Sequence, residues 1–210
     1  MIQMAQDANN HPPHFRNAAF DIVAIAASAG GLTALVKVLS TLRAAFPAAI
    51  AIVQHLAPEH PSFMAEILSR RTDITVKQAQ EGDYLTPGTA YIAPPNRHLL
   101  VNDDGTLSLS QSKLVHFLRP SADLLFESVA ATYKERAIAI VLTGTGSDGA
   151  MGVEAIKKMG GTVIVQDLKT AEFSGMPSAA IKTGNVDFIL PLDEISNALV
   201  TLVEGECREV

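Results

Sequence analysis

Four stretches of the chain are apolar almost without a break: residues 22–26, 49–53, 137–142 and 162–165. Each has the length of a strand. Their continuity, in place of an apolar–polar alternation, reads as strands covered on both faces, as in a parallel sheet. Between the first two, Leu32, Leu35, Val36, Leu39 and Leu42 recur three and four apart and predict an amphipathic helix. Strand, helix, strand in that order implies a right-handed crossover and parallel pairing. The C-terminal ends of both strands then lie on the same edge of the sheet.

The middle third has a different texture. Residues 74–78, 90–93, 98–101 and 107–110 are short and alternating, Pro87-Gly88 and Pro94-Pro95-Asn96 mark loops, and Asp103-Asp104-Gly105 marks a tight hairpin. These segments are expected to be antiparallel strands added to the parallel core. A helix is expected after Pro61 over Phe63, Ile67 and Leu68. Another spans 122–133, capped by Ser121, with Leu124, Leu125, Val129 and Ala130 inward. A third carries Val153, Ile156 and Met159 and ends at Gly160-Gly161. Short elements follow at 178–183 and 186–190, and a last helix is capped by Asp193 and carries Ile195, Leu199, Val200 and Leu202. The pattern places a polar, mobile tail over residues 1–18, one α/β domain over 19–203 and a C-terminal tail over 204–210.

Composition narrows the function classes. The 210 residues are 48% hydrophobic and only 5% aromatic, with no Trp, so the core is built mainly from small aliphatic side chains. A net charge of −6 with no Lys/Arg cluster argues against nucleic acid as a partner. One cysteine, Cys207, cannot form an internal disulfide and suits a reducing compartment. No apolar run approaches the roughly 20 residues that span a bilayer, and the N-terminus has no signal-peptide pattern. A soluble, cytoplasmic domain is expected.

The chemistry gathers where the apolar runs end. The first stops at a lone serine, in Ile25-Ala-Ala-Ser28-Ala-Gly-Gly31, just before the predicted helix. Ser28 then stands at a sharp strand-to-helix turn, beside unpaired backbone N–H groups and the positive end of the helix dipole. Such a corner serves a nucleophile whose reaction creates an oxyanion, or a bound phosphate. The second run ends in Gln54-His55 and the third in Thr143-Gly-Thr-Gly-Ser-Asp148-Gly149. Ligands of open parallel sheets bind beyond the carboxyl ends of the strands. Ser28, His55 and Asp148 therefore form a candidate hydrolase triad: a serine to attack, an imidazole to take its proton, and a carboxylate to orient that imidazole.

Each of the three also has a plainer use: Ser28 as a helix cap, His55 as a hydrogen-bonded histidine at a strand end, Asp148 as a turn residue before Gly149. The phosphate alternative rests on the glycine-rich turns 28–31 and 144–149. They precede helices but match neither G-x-G-x-x-G in context nor the lysine-bearing Walker pattern. A metal site has less support. His55 and His60 flank a proline, His11 and His14 lie in the N-terminal segment, and no cysteine or carboxylate cluster adds ligands. No cofactor is called for.

Six ordered blocks carry a resemblance: Ile25-Ala-Ala-Ser-Ala-Gly-Gly31, Val53-Gln-His-Leu-Ala-Pro58, Gly88-Thr-Ala-Tyr-Ile-Ala-Pro-Pro-Asn-Arg-His98, Arg119-Pro-Ser-Ala-Asp123, Leu142-Thr-Gly-Thr-Gly-Ser-Asp-Gly-Ala-Met-Gly152 and Phe173-Ser-Gly-Met-Pro177. The chain resembles the catalytic domain of the CheB-type chemotaxis methylesterases over residues 20–203. That resemblance implies a doubly wound, mostly parallel α/β sheet flanked by helices, with a β-hairpin insertion. It implies hydrolysis of glutamate γ-methyl esters on chemoreceptor cytoplasmic helices, with release of methanol, and deamidation of receptor glutamines. It places the family's nucleophile on Ser28, its histidine on His55 and its aspartate on Asp148.

Two positions depart from the family pattern. Ala29 replaces the usual Thr after the nucleophile, and Thr145 replaces a Met whose backbone N–H the family offers to the oxyanion hole. The family's common form also carries an N-terminal receiver domain, and the roughly 20 residues before this core are too few for one. Control by phosphorylation in cis is therefore not expected. The alternative to an enzyme is a non-catalytic module of the same fold that binds receptor helices or another partner.

Overall fold

The computed structural model describes residues 12–16, 18–55, 62–115 and 117–205. In chain order they form β1 (Ile22–Ala27), α1 (Gly31–Leu39), β2 (Ala49–Gln54), α2 (Met64–Ser69), β3 (Thr75–Gln78), β4 (Thr89–Ile92), β5 (His98–Val101), β6 (Leu107–Ser110), α3 (Ala122–Tyr133), β7 (Ala137–Val141), α4 (Ala150–Lys158), β8 (Thr162–Gln166), α5 (Gly175–Lys182), β9 (Phe188–Leu190) and α6 (Leu192–Glu204). Seven strands make one sheet in the order β3-β4-β2-β1-β7-β8-β9, with every neighbouring pair parallel. β5 and β6 form a separate antiparallel hairpin. The chain builds one half of the sheet outward from β1 and then returns to build the other from β7. The winding therefore reverses between β1 and β7, the place where open α/β sheets bind their ligands.

The two faces of the central strands differ in size. Ala24, Ala26, Ala49, Ala51, Ala137 and Ala139 face α3, α4, α5 and the hairpin, whose Leu99, Leu107, Leu125 and Phe126 fill the space above them. Val23, Ile25, Ile50, Ile52, Ile138 and Ile140 face α1, α2 and α6. A face of alanines brings α3 and α4 close to the sheet, which explains a buried core with few aromatics. Gly152 continues the approach: a Cβ there would lie only 3.0 Å from Phe126 Cδ2.

Several expectations need correction. Of the four middle segments, β3 and β4 belong to the parallel sheet, and only β5 and β6 are antiparallel. No helix separates β3 from β4, so their connection imitates a hairpin in the sequence. α2 begins at Met64, which leaves Phe63 at its cap position, and of the three apolar residues expected there only Leu68 is buried. Leu124 is half-buried. α5 begins at Gly175, three residues before the expected start, with Pro177 tolerated in its first turn. α6 begins at Leu192, which places Asp193 in its first turn behind a Pro191 cap.

The N-terminal segment is not free over the residues described. Buried Asp21 accepts the Phe15 N–H (2.8 Å), bonds His14 Nδ1 (2.7 Å) and pairs with Arg136. Burial alone would raise the Asp21 pKa, but the Arg136 and His14 bonds outweigh it and hold the carboxyl below its usual range. His11, Pro61, His60 and Cys207 lie outside the described residues.

Candidate active site

The three predicted residues leave adjacent strands. β1 sits between β2 and β7, and the ladder runs past the strand ends: His55 N–H donates to Ala27 O (3.1 Å), and Ser28 N–H donates to Thr143 O (3.0 Å). Ser28 is thus flanked by the segment bearing His55 on one side and the loop bearing Asp148 on the other. The cap position of α1 is Gly30, in the left-handed region at φ 74°, and no side chain caps the helix. Ser28 is therefore not that helix's cap. Its hydroxyl makes no hydrogen bond among the described residues.

Two neighbours fix the serine corner. Buried Gln54 donates from Nε2 to the carbonyls of both Ser28 (2.7 Å) and His55 (3.1 Å), tying the two backbones together. Gly144 lies against the serine, since a Cβ built on it would stand 2.8 Å from Ser28 Cβ and would also strike Met176 Sδ. Only glycine lets the β7–α4 loop come this close. Among the described residues the amides of Ala29 and Thr145 take no partner, which leaves both as free donors at this edge.

Asp148 is completely enclosed at the side chain and is the most heavily hydrogen-bonded group here. Oδ2 accepts His55 Nε2 (2.8 Å) and the Ala122 N–H (2.6 Å), and Oδ1 accepts Ser121 Oγ (2.8 Å) and the Asp123 N–H (3.1 Å). Burial would push this carboxyl up. The His55 bond and the α3 amides more than reverse that, and the pKa falls to about 2. An ionised carboxylate can only accept, so His55 Nε2 carries the proton and Nδ1 is the nitrogen left to receive another.

Ser121 reveals a further correction. It occupies the cap position of α3, yet its hydroxyl caps nothing in that helix and donates to Asp148 instead. Its own N–H goes to Nδ1 of buried His98 (3.2 Å), whose Nε2–H reaches the Lys113 carbonyl (3.2 Å). Burial holds the His98 pKa down, in keeping with a neutral ring that accepts at Nδ1 and donates at Nε2. A cavity of about 270 Å³ opens beside His55, walled by Asn96, Leu114, Phe117, Arg119 and Pro120. Arg119 is fixed there by two bonds to Asn96 Oδ1 (2.9 and 2.7 Å). Sequence reasoning singled out none of Gln54, His98, Asp123 and Gly144 for a role in the site. Gln54, polar at the end of an apolar strand, and Gly144, in a glycine-rich turn, carried a local signal.

The phosphate reading loses ground at the same corner. Glu172 Oε2 lies 2.8 Å from where a Cβ on Gly30 would be, so a carboxylate leans on the turn that a phosphate would have to occupy. Among the described residues no cluster of three metal-ligating side chains occurs.

Comparison with known proteins agrees with this fold. The crystal structure of the Thermotoga maritima CheB methylesterase catalytic domain superposes with a TM-score of 0.84 at 37% identity, covering 88% of this chain and 99% of that one. A Leptospira interrogans protein, provisionally named protein-glutamate methylesterase/protein-glutamine glutaminase, is 40% identical over 90% of this chain and 98% of its own length. The Moorella thermoacetica protein-glutamate methylesterase/protein-glutamine glutaminase is also 40% identical over 90% of this chain, which spans only 46% of that longer protein. The Myxococcus xanthus protein-glutamate methylesterase FrzG is 39% identical, with 59% of its length covered. The CheB methylesterase family profile matches residues 23–199, and the chain belongs to that family.

Proposed function

We propose that residues 19–203 form a cytoplasmic serine hydrolase domain that removes methyl groups from glutamate γ-methyl esters of chemoreceptors, with Ser28, His55 and Asp148 as its triad. The observation that carries this reading is a buried Asp148 carboxylate bonded to His55, beside a serine whose hydroxyl caps no helix and makes no hydrogen bond among the described residues. Ser28 Oγ attacks the ester carbonyl while His55 Nδ1 takes the hydroxyl proton. The tetrahedral oxyanion is met by the amides of Ala29 and Thr145. His55 then gives its proton to the departing methoxide, releasing methanol and leaving an acyl-Ser28 ester. Water, deprotonated by His55, cleaves that ester to glutamate and free Ser28. A glutamine side chain follows the same path with ammonia as the leaving group, in line with the double name of the relatives.

Both family departures are compatible with this reading, because the oxyanion role asks only for the backbone N–H of Ala29 and of Thr145. Replacement of Ser28 by Ala should abolish methanol release from a methylated receptor, a loss of at least about 10³-fold. Undiminished release would end the proposal.

A non-catalytic binding module is the second reading, and the observation in its favour is the missing Ser28 Oγ–His55 bond. Such bonds are often long in unliganded sites and tighten with substrate. A fluorophosphonate probe separates the two readings: an activated serine is labelled at Ser28, and a pure binder of the same fold stays unlabelled.

A further inference from the structure

The corner that presents Asp148 is held by a second buried carboxylate. Asp123 lies in the first turn of α3 and is 3% exposed. Its Oδ1 accepts the N–H groups of Gly149 (2.9 Å) and Gly152 (2.8 Å), at the start of α4. Asp148 precedes α4 and accepts the N–H groups of Ala122 and Asp123, at the start of α3. Neither helix is capped by a side chain of its own cap residue. Each is closed by the carboxylate that belongs to the other. The two acids thus exchange caps, and Gly149, the residue next to Asp148, hangs by its amide from Asp123.

We infer that Asp123 is a positioning residue for Asp148: by gripping the first turn of α4 it fixes the backbone from which Asp148 reaches His55. The inference rests on the hydrolase reading above for its kinetic consequence, but its geometric content does not. Gly149 sits at φ 98° and so has no side chain with which to fix this corner by packing. The close seat of Gly152 on Phe126 fixes the helix body, and the Asp123 bonds fix its first turn. The role assigned is that of an acceptor, and the negative charge is incidental to it. Burial and the adjacent Asp148 charge both work against ionisation of Asp123 and raise its pKa to about 6, whereas Asp148 has the greater share of donors.

The test compares Asp123→Asn, Asp123→Ala and Asp123→Glu with wild type and Asp148→Asn, below the melting temperature of each. Asparagine keeps an acceptor in place and should hold kcat within about threefold of wild type. Alanine removes the acceptor, and glutamate displaces it by a methylene. Both should lower kcat about 10–100-fold with KM little changed, the scale expected for a sub-ångström to 1 Å misplacement of a catalytic group. A merely structural role would lower stability and leave kcat of the folded protein alone. Full kcat in Asp123→Glu or Asp123→Ala, or an Asp123→Asn as impaired as Asp123→Ala, overturns the inference.

A readout without turnover keeps this separate from the triad proposal. Solvent exchange of the His55 Nε2 proton, followed by NMR, should be slow in wild type and Asp123→Asn and fast in Asp123→Ala or Asp123→Glu. If Ser28→Ala proves fully active, the hydrolase reading falls and this exchange measurement alone decides the role of Asp123. Unchanged protection in the disruptive variants would overturn it.

Discussion

Three helix N-termini at this edge of the sheet are used in opposite ways. Those of α3 and α4 are filled: Asp148 and Asp123 take their leading amides permanently, inside the protein. That of α1 is left open, with Gly30 at its cap position, no acidic residue in its first turn and no side-chain cap. All three offer the same partial positive charge. A charge that must always be present, the carboxylate that orients His55, is placed where amides are already committed to it. A charge that exists only during reaction, the proposed oxyanion, is placed beside the terminus that no side chain caps. A filled α1 terminus would stabilise a resident anion and gain nothing in the transition state.

The comparison breaks most completely at Asp148. Asp148→Asn keeps the size of the side chain but removes the anion that fixes the tautomer of His55, and kcat should fall by about 10⁴-fold at neutral pH. The same substitution tests the filled terminus thermodynamically. The folded pKa of Asp148 lies below its ordinary value, so its contribution to stability is present above about pH 4 and is lost as pH falls through about 2. Wild type should therefore exceed Asp148→Asn by about 2 kcal/mol in chemical denaturation at pH 7. That margin should vanish toward pH 2, and a margin independent of pH would refute the role of the charge.

A smaller effect is expected where the open terminus meets its neighbour. Gly144→Ala drives a methyl group between Ser28 and Met176. Overpacking of this kind costs about 1–3 kcal/mol of stability, and the displaced Ser28 should lose about 10–100-fold in kcat. The control is Gly146→Ala, whose site has nothing within 4 Å of an added Cβ but lies at φ 83°. It should lower stability through backbone strain and leave kcat within a few-fold. Equal loss of kcat in the two would show that loop strain, and not contact with Ser28, is responsible.

The pattern of the sequence reaches the open terminus more readily than the filled ones. Continuous apolar runs identify β1, β2, β7 and β8, and the polar residues that end three of them bring Ser28, His55 and Asp148 to one edge. The hydrogen bonds that close α3 and α4 have no such signature. Asp123 reads as an ordinary first-turn acid and Ser121 as an ordinary cap, and only the fold shows that both serve the neighbouring corner. β3 and β4 escaped for a related reason. They are four-residue strands joined by a loop, and local alternation carries no record of which distant strand they pair with.

The smallest effect concerns Glu172, the carboxylate beside the open terminus. It leans on Gly30 without accepting any amide of the turn among the described residues, and its residue is exposed. Its field opposes any lasting anion at Ser28, including the carboxylate product of the proposed reaction. Solvent screening makes this modest, since two charges a few ångströms apart in a wet setting interact by about 1 kcal/mol or less. Glu172→Gln should therefore strengthen product inhibition by a glutamate-containing peptide only about two- to threefold at 10–20 mM salt. The difference should disappear near 1 M salt, where the screening length shrinks to about 3 Å. A salt-insensitive change would mean that Glu172 acts through packing on Gly30, and the contrast between open and filled termini would then owe nothing to this side chain.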